Sequence, residues 1–315
     1  MLFNVCVSRR VSLAVVASLL IVSAVLQPAV ADQIVPTYIY GIGDANRIWQ
    51  TDPVPGQQSF AISYSTGITG TSNAVAFDRN REQLLFLSQS NDLYVWNKSL
   101  GDAPGAFQMV TTGSALGISS VPVFNAAYYQ NSFWFFKEAT NELVKATLDY
   151  TTPALPSLSG TTSYTTTGPT PSNYNGFGDI AINENTGTLY AATSTGLFYT
   201  LDLSSPSTSY NEILPFGSNI SLQIAFNQDY SILYGHNYAS GQWYSINTTT
   251  GTPTDLNFAT IVPGTGFGFR DLGGASSISA AIVPEIDPSL CGSAIALLLG
   301  ALGLIERRRL APVTA

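Results

Sequence analysis

Residues 179–202 read DIAINENTGTLYAATSTGLFYTLD. Within them, Ala181-Ile182-Asn183 leads through a polar turn, Glu184 to Gly187, into the apolar run Leu189 to Ala192. A second polar stretch then leads to Leu197 to Leu201. Short runs rich in aromatic and β-branched residues, separated by Asn, Gly, Ser and Thr, are the pattern of antiparallel hairpins. The same order recurs from Ala76-Phe77-Asp78, Ala127-Tyr128-Tyr129 and Ala225-Phe226-Asn227, with 51, 54 and 44 residues between successive alanines. Each copy continues into a second strand (Leu84 to Leu87, Phe133 to Phe136, Ile232 to Tyr234) and a third (Leu93 to Trp96, Leu143 to Leu148, Trp243 to Ile246).

Units of this length with about four short strands each point to a β-propeller, because a blade is a sheet too small to bury its own faces and must stack on its neighbours. Tyr38 to Trp49 has the look of the middle of a further unit without its first strand, and Phe267 to Leu272 of a first strand without the rest. Joined, the two complete a fifth blade and close the ring with both termini together. The fold expected is therefore all-β, with β-propeller-like repeats in about five blades. A two-sheet β-sandwich with similar hairpins is the alternative. Helical periodicity is nearly absent from the body.

Composition limits what that body can do. Between Asp32 and Glu285 there are 7 Lys plus Arg against 18 Asp plus Glu, a balance of −11. Such a surface repels a phosphate backbone, so no nucleic-acid partner is expected. Ser, Thr, Asn, Gly and Gln take the place of much charged surface, a texture suited to neutral polar polymers. The two cysteines, Cys6 and Cys291, lie outside the body, which thus has neither disulfide nor thiolate nucleophile. Cys6 precedes the apolar run of the N-terminus, which argues against a lipoprotein anchor.

Both ends carry targeting patterns. Arg9 and Arg10 precede an apolar run from Val11 to Leu26, and Ala29-Val30-Ala31 follows as a small-residue cleavage site. This is the layout of a secretory signal peptide, residues 1–31, cut after Ala31 with Ala29 and Ala31 as the recognition pair. Ser12 stands where a twin-arginine signal has a large apolar residue, so the general secretory route fits better. At the other end, Val283-Pro284-Glu285 is followed by an uncharged stretch, residues 290–305, and then by Glu306 and Arg307, Arg308 and Arg309. As a helix those 16 residues rise about 24 Å, short of a hydrocarbon core of about 30 Å. They present no polar stripe, so a transmembrane helix is expected, with the arginines on the cytoplasmic side.

The tail over residues 283–310 resembles the PEP-CTERM sorting signal of bacterial exported proteins. Pro284 and Glu285 match the first two positions of the Pro-Glu-Pro core, Ile286 replaces the second proline, and Arg307 to Arg309 match the basic stop. The resemblance implies a membrane protease of the exosortase class as processing partner, after signal peptidase. It also implies transient anchoring in the cytoplasmic membrane, then transfer to the cell surface or an exopolysaccharide-rich matrix. Residues 32–282 would be the exported domain.

Candidate chemistry in that domain is thin. The lone His236 follows Tyr234-Gly235, without companion ligands or a G-x-S-x-G elbow, and reads as a surface or hydrogen-bonded histidine. Gly41-Ile42-Gly43 and Gly264-Thr265-Gly266-Phe267-Gly268 precede no helix of a βαβ unit and read as tight turns rather than phosphate loops. No D-x-[DN]-x-[DN]-G run marks a calcium loop, and no cofactor is expected. Trp134, Tyr190, Tyr199, Trp243 and Tyr244 could stack on sugars, but at strand spacing such rings usually pack between sheets. Asp179 and Asp271 stand at similar places near the start of first strands, at the axial end of a propeller, and Asp44 is a third candidate. Acids gathered at one mouth would favour a secreted carbohydrate-active or lactone-type hydrolase. Acids scattered over outer turns would favour a non-catalytic binding or structural body engaging exopolysaccharide or envelope glycans, which is the reading expected.

Overall fold

The computed structural model describes residues 37–277, except 44–46, 54–59, 66–67, 69–71, 98–99, 101–105, 120, 122, 138–141, 167–177, 194–195, 207–210 and 213–219. Twenty strands occur among the described residues, in five four-stranded antiparallel sheets. The chain begins with β1 (Thr37–Ile42), β2 (Arg47–Thr51) and β3 (Phe60–Ser65). Then come β4 (Asn73–Asp78), β5 (Gln83–Leu87), β6 (Leu93–Asn97) and β7 (Phe107–Thr111). The third sheet has β8 (Ala127–Tyr129), β9 (Ser132–Phe136), β10 (Glu142–Asp149) and β11 (Ser157–Thr165). The fourth has β12 (Asp179–Asn183), β13 (Thr188–Ala192), β14 (Phe198–Asp202) and β15 (Asn211–Glu212), and the fifth β16 (Leu222–Phe226), β17 (Leu233–Asn237), β18 (Gln242–Ile246) and β19 (Pro253–Ala259). Last, β20 (Asp271–Ser277) returns to pair with β1, so the first sheet runs β20-β1-β2-β3.

The inner strands β20, β4, β8, β12 and β16 neighbour one another in a closed ring, which makes the body a five-bladed propeller. The sandwich alternative is excluded, and the closure expected from the two half-units is present. Thr37 pairs with Ser277, so the body's first and last described residues are cross-strand partners. The described residues contain no α-helix, and none long and apolar enough to cross a membrane.

Stacking explains the sequence pattern. Five apolar clusters occupy the five seams between blades; Leu85, Leu87 and Val95 of the second blade meet Phe133, Phe135 and Val144 of the third, for example. Because first and second strands of a blade are covered on both faces, β4, β5, β9 and β16 are buried along their whole length. They read as continuous apolar runs rather than alternating ones. The repeated polar residue after each alanine motif closes a turn: Asp78 Oδ1 accepts from Asn80 N–H at 3.0 Å, Asn183 Oδ1 from Asn185 N–H at 3.0 Å, and Asn227 Oδ1 from Ile232 N–H at 2.9 Å. In the third blade the turn is Gln130-Asn131, with φ of 49° and 54°, the left-handed pair of a two-residue hairpin.

Three expectations shift in detail. The second strand of the fifth blade is Leu233–Asn237 rather than Ile232 to Tyr234; Ile232 is outside it and exposed. Gly235 and His236 continue the strand because Gly235 leaves room for Ile246 and Leu222, whose Cδ1 atoms lie 3.0 Å from a Cβ placed there. The closing strand is Asp271–Ser277 rather than Phe267 to Leu272. Its glycines look like a turn but meet crowding at the axis: a Cβ on Gly273 would lie 2.5 Å from Val75 Cγ1. Gly41-Ile42 likewise belongs to β1, with a bulge between Tyr40 and Gly41, rather than to a tight turn.

Candidate functional site

The repeat puts one polar side chain at the entry end of each inner strand. Asp179 and Gln223 each stand two residues before the repeat alanine, as does Asn125, while Asn73 opens β4 at a bulge and Asp271 opens β20. All five are buried, Asp271 completely and Asp179, Gln223, Asn125 and Asn73 to 1, 3, 5 and 9% exposure. By position they make an acid-and-amide ring, one residue per inner strand; the Asn125 side chain is bonded within its own blade, where Oδ1 accepts from Phe136 N–H at 2.8 Å.

Asp179 and Asp271 are brought together there. Asp271 Oδ2 accepts from Val75 N–H of the second blade at 2.6 Å, and Oδ1 from Leu272 N–H at 2.9 Å. Asp179 Oδ2 accepts from Ile224 N–H of the fifth blade at 2.7 Å, and Oδ1 from Ile180 N–H at 2.7 Å. Each carboxyl thus clasps its own blade to the next. The two side chains are also hydrogen bonded to each other, which requires a proton between them. Burial raises both above the usual carboxyl range, Asp271 to about 8; for Asp179 the charge of Asp271 adds to the effect.

The axial channel begins one residue beyond this ring, at Ile180, Ile224 and Leu272, and runs to Arg79 and Glu184 at the opposite mouth. Its space is about 30 Å³, room for about two waters. Arg79 crosses that mouth from the second blade to the fifth. Its Nη1 donates to Asn227 O at 2.8 Å and to Gln228 O, and Nη2 to Phe226 O at 3.3 Å. The guanidinium stacks 4.0 Å from the Tyr230 ring centroid and faces Glu184 at 3.9 Å. Burial lowers the Arg79 pKa and raises that of Glu184. The channel is therefore stoppered at one end by hydrogen-bonded acids and at the other by an arginine.

His236 is a core residue, not a surface one. It is fully buried in β17, with Nε2 3.3 Å from Thr260 O and its ring against Trp243 (4.5 Å) and Phe269 (5.1 Å). Nδ1 has no partner, so protonation would put a charge in an apolar pocket; burial lowers the pKa to about 3. Trp134, Tyr199 and Trp243 are buried between blades, and Tyr190 and Tyr244 are half-buried. Asp44, the cleavage residues Ala29 and Ala31, the sorting residues Pro284 and Glu285, and Arg307, Arg308 and Arg309 lie outside the described residues. Among the described residues no three or more His, Cys, Asp or Glu side chains gather as a metal cluster. Gln223, Asn73, Asn125 and Arg79 were missing from the sequence-derived candidates. The signal for Asn125 and Gln223 was their shared offset from the repeat alanines.

No family model matches this chain, and no curated protein does. Among solved structures, the chain is similar to a catalytically inactive variant of virginiamycin B lyase from Staphylococcus aureus with quinupristin, at 15% identity, 73% coverage of each chain and a TM-score of 0.42. It is also similar to a protein of unknown function from Bacteroides caccae, at 12% identity, 70% coverage of this chain and 72% of that one, and a TM-score of 0.40.

Proposed function

We propose that this is an exported cell-surface or matrix protein whose propeller serves a non-catalytic binding or structural role. Signal peptidase removes residues 1–31, and an exosortase-type protease acts at the Pro284-Glu285 tail. The observation that carries this reading is the order of that tail: a Pro-Glu motif, an uncharged run over 290–305, then Arg307 to Arg309. The body suits the role. It needs no disulfide, its surface favours polar neutral partners such as exopolysaccharide or envelope glycans, and its ends leave from paired strands of one blade. The test is to replace Arg307, Arg308 and Arg309 with alanine and follow the protein by cell fractionation. Retention at the membrane or misrouting is expected; unchanged sorting would overturn the reading.

The competing reading, a secreted carbohydrate-active or lactone-type hydrolase, draws on one observation: two acids do gather on the axis. Against it, a glycosidase pair is held about 5 Å or more apart with a sugar or water between. Asp179 and Asp271 are instead hydrogen bonded directly, are buried, and do not line the channel. Asp179→Asn and Asp271→Asn variants screened against glycans and lactones decide it, since hydrolysis by the parent that either variant abolishes would favour the enzyme.

A further inference from the structure

The acid-and-amide ring contains more acceptors than donors. Asp179 and Asp271 supply four carboxyl oxygens, each taking a backbone N–H, and a proton joins the two side chains. Beside them, Gln223 Oε1 and Asn73 Oδ1 are buried with no hydrogen-bond partner at all. An unpartnered buried amide oxygen is costly, and two in one ring call for an explanation.

The register shows where the Gln223 oxygen is directed. Gln223 pairs with His236 across the β16–β17 ladder, so their side chains share a face. His236 on that face meets Phe269, two residues before β20, and Ala225 on the same face shares an apolar cluster with Leu272 and Ala275 of β20. Gln223 therefore points to the strand that opens with Asp271. Its neighbour Ile224 is the residue whose N–H Asp179 holds. Asn73 directly precedes Ala74 and Val75, whose backbone receives Asp271. The two carboxyl groups and the two residues with orphan oxygens thus sit at the same end of four neighbouring inner strands.

We infer that this ring is a calcium site, with Asp179 and Asp271 as carboxylate ligands and Gln223 Oε1 and Asn73 Oδ1 as amide ligands. The donor set is all oxygen, which selects a hard cation over zinc or copper. Ligands anchored in four separate blades suit the long, adaptable bonds of calcium at about 2.3–2.6 Å better than the compact octahedron that magnesium demands. One divalent ion matches the two carboxylate charges and replaces the proton that otherwise joins them. It also ties four blades together at the point where the ring closes.

The test uses the full-length chain, purified in detergent, stripped with EDTA and titrated with calcium chloride by calorimetry and thermal unfolding. One calcium per chain is expected, with Tm raised by about 5–10 °C at calcium a hundredfold above Kd. Gln223→Met replaces the amide, whose oxygen has no protein partner, with an apolar chain of similar length and should bind calcium at least tenfold more weakly. Asp271→Asn should abolish the calcium response. No heat and no Tm shift in the parent protein up to about 10 mM calcium, beyond the range of weak extracellular calcium modules, would overturn the site. So would calcium binding that neither substitution alters. An equal response to magnesium chloride would overturn the choice of ion.

Discussion

His236 is the only histidine in the chain, so a single substitution removes the one side chain whose ordinary pKa lies between pH 5 and 8. In the native state it stays neutral down to about pH 3, because its ring is fully buried against Trp243 and Phe269. In the unfolded chain it takes up a proton near pH 6.5. The folded pKa of this base is depressed, so acidification below pH 6.5 favours the unfolded state, by about 1.4 kcal/mol per pH unit until pH 3. Between pH 7 and pH 5 the loss is about 2 kcal/mol. The Asp179–Asp271 pair works in the opposite direction over that range. Its folded pKa is raised, so its stabilisation is complete below the unfolded value of 3.8 and is lost as pH rises through about 8. The parent protein should therefore lose less stability between pH 6 and 4.5 than His236 alone would remove. In His236→Gln, whose Nε2 can still donate to Thr260 O, the pair acts alone and stability should rise as pH falls. Urea unfolding followed by tryptophan fluorescence in EDTA, at pH 7, 6 and 5, measures both proteins. The difference between them should change by about 2 kcal/mol across the series, independently of the pair. Parallel pH profiles would refute the buried, neutral histidine.

Three further outcomes follow from the axis and its mouths. Gly273→Ala places a Cβ 2.5 Å from Val75 Cγ1 and 2.8 Å from Leu84 Cδ1, both on fully buried residues, and should lower stability by about 1–3 kcal/mol in urea unfolding. Gly160→Ala on the exposed β11, with nothing within 4 Å, is the near-neutral control. Arg79→Met removes the donor from the Phe226, Asn227 and Gln228 carbonyls and leaves Glu184 without its cation, at a cost of about 2–3 kcal/mol by the same assay. In EDTA, Asp271→Asn should reduce the fall in stability of the parent protein between pH 6.5 and 8, because the carboxyl that burial raises to about 8 is gone while Asp179 remains.

How much could be read from the letters depended on where each residue faces. Inner and middle strands such as Leu84 to Leu87 and Phe133 to Phe136 were evident because burial on both faces demands unbroken apolar runs. Outer strands left no such trace. β11 is SLSGTTSYT and largely exposed, and β19 carries Pro253 and Asp255, so edge position rather than composition makes them strands. The closing strand was displaced by several residues because Gly273 and Gly274 signal a turn in isolation and a close approach only once the ring exists. Of the ring itself, the two acids were visible as strand-opening aspartates. Gln223, Asn125 and Asn73 read as ordinary turn and strand residues, since nothing local shows that five separate chain segments meet on one axis. The Arg79 stopper was hidden for the same reason; its partners lie about 150 residues away in sequence.

The two ends are proposed to work as addresses for the propeller between them. Mass spectrometry of the native protein recovered from outside the cell tests this directly. A polypeptide beginning at Asp32 and lacking Arg307, Arg308 and Arg309 is predicted. Intact protein in the cytosol, with residues 1–31 uncut and the arginine tail still attached, would contradict it.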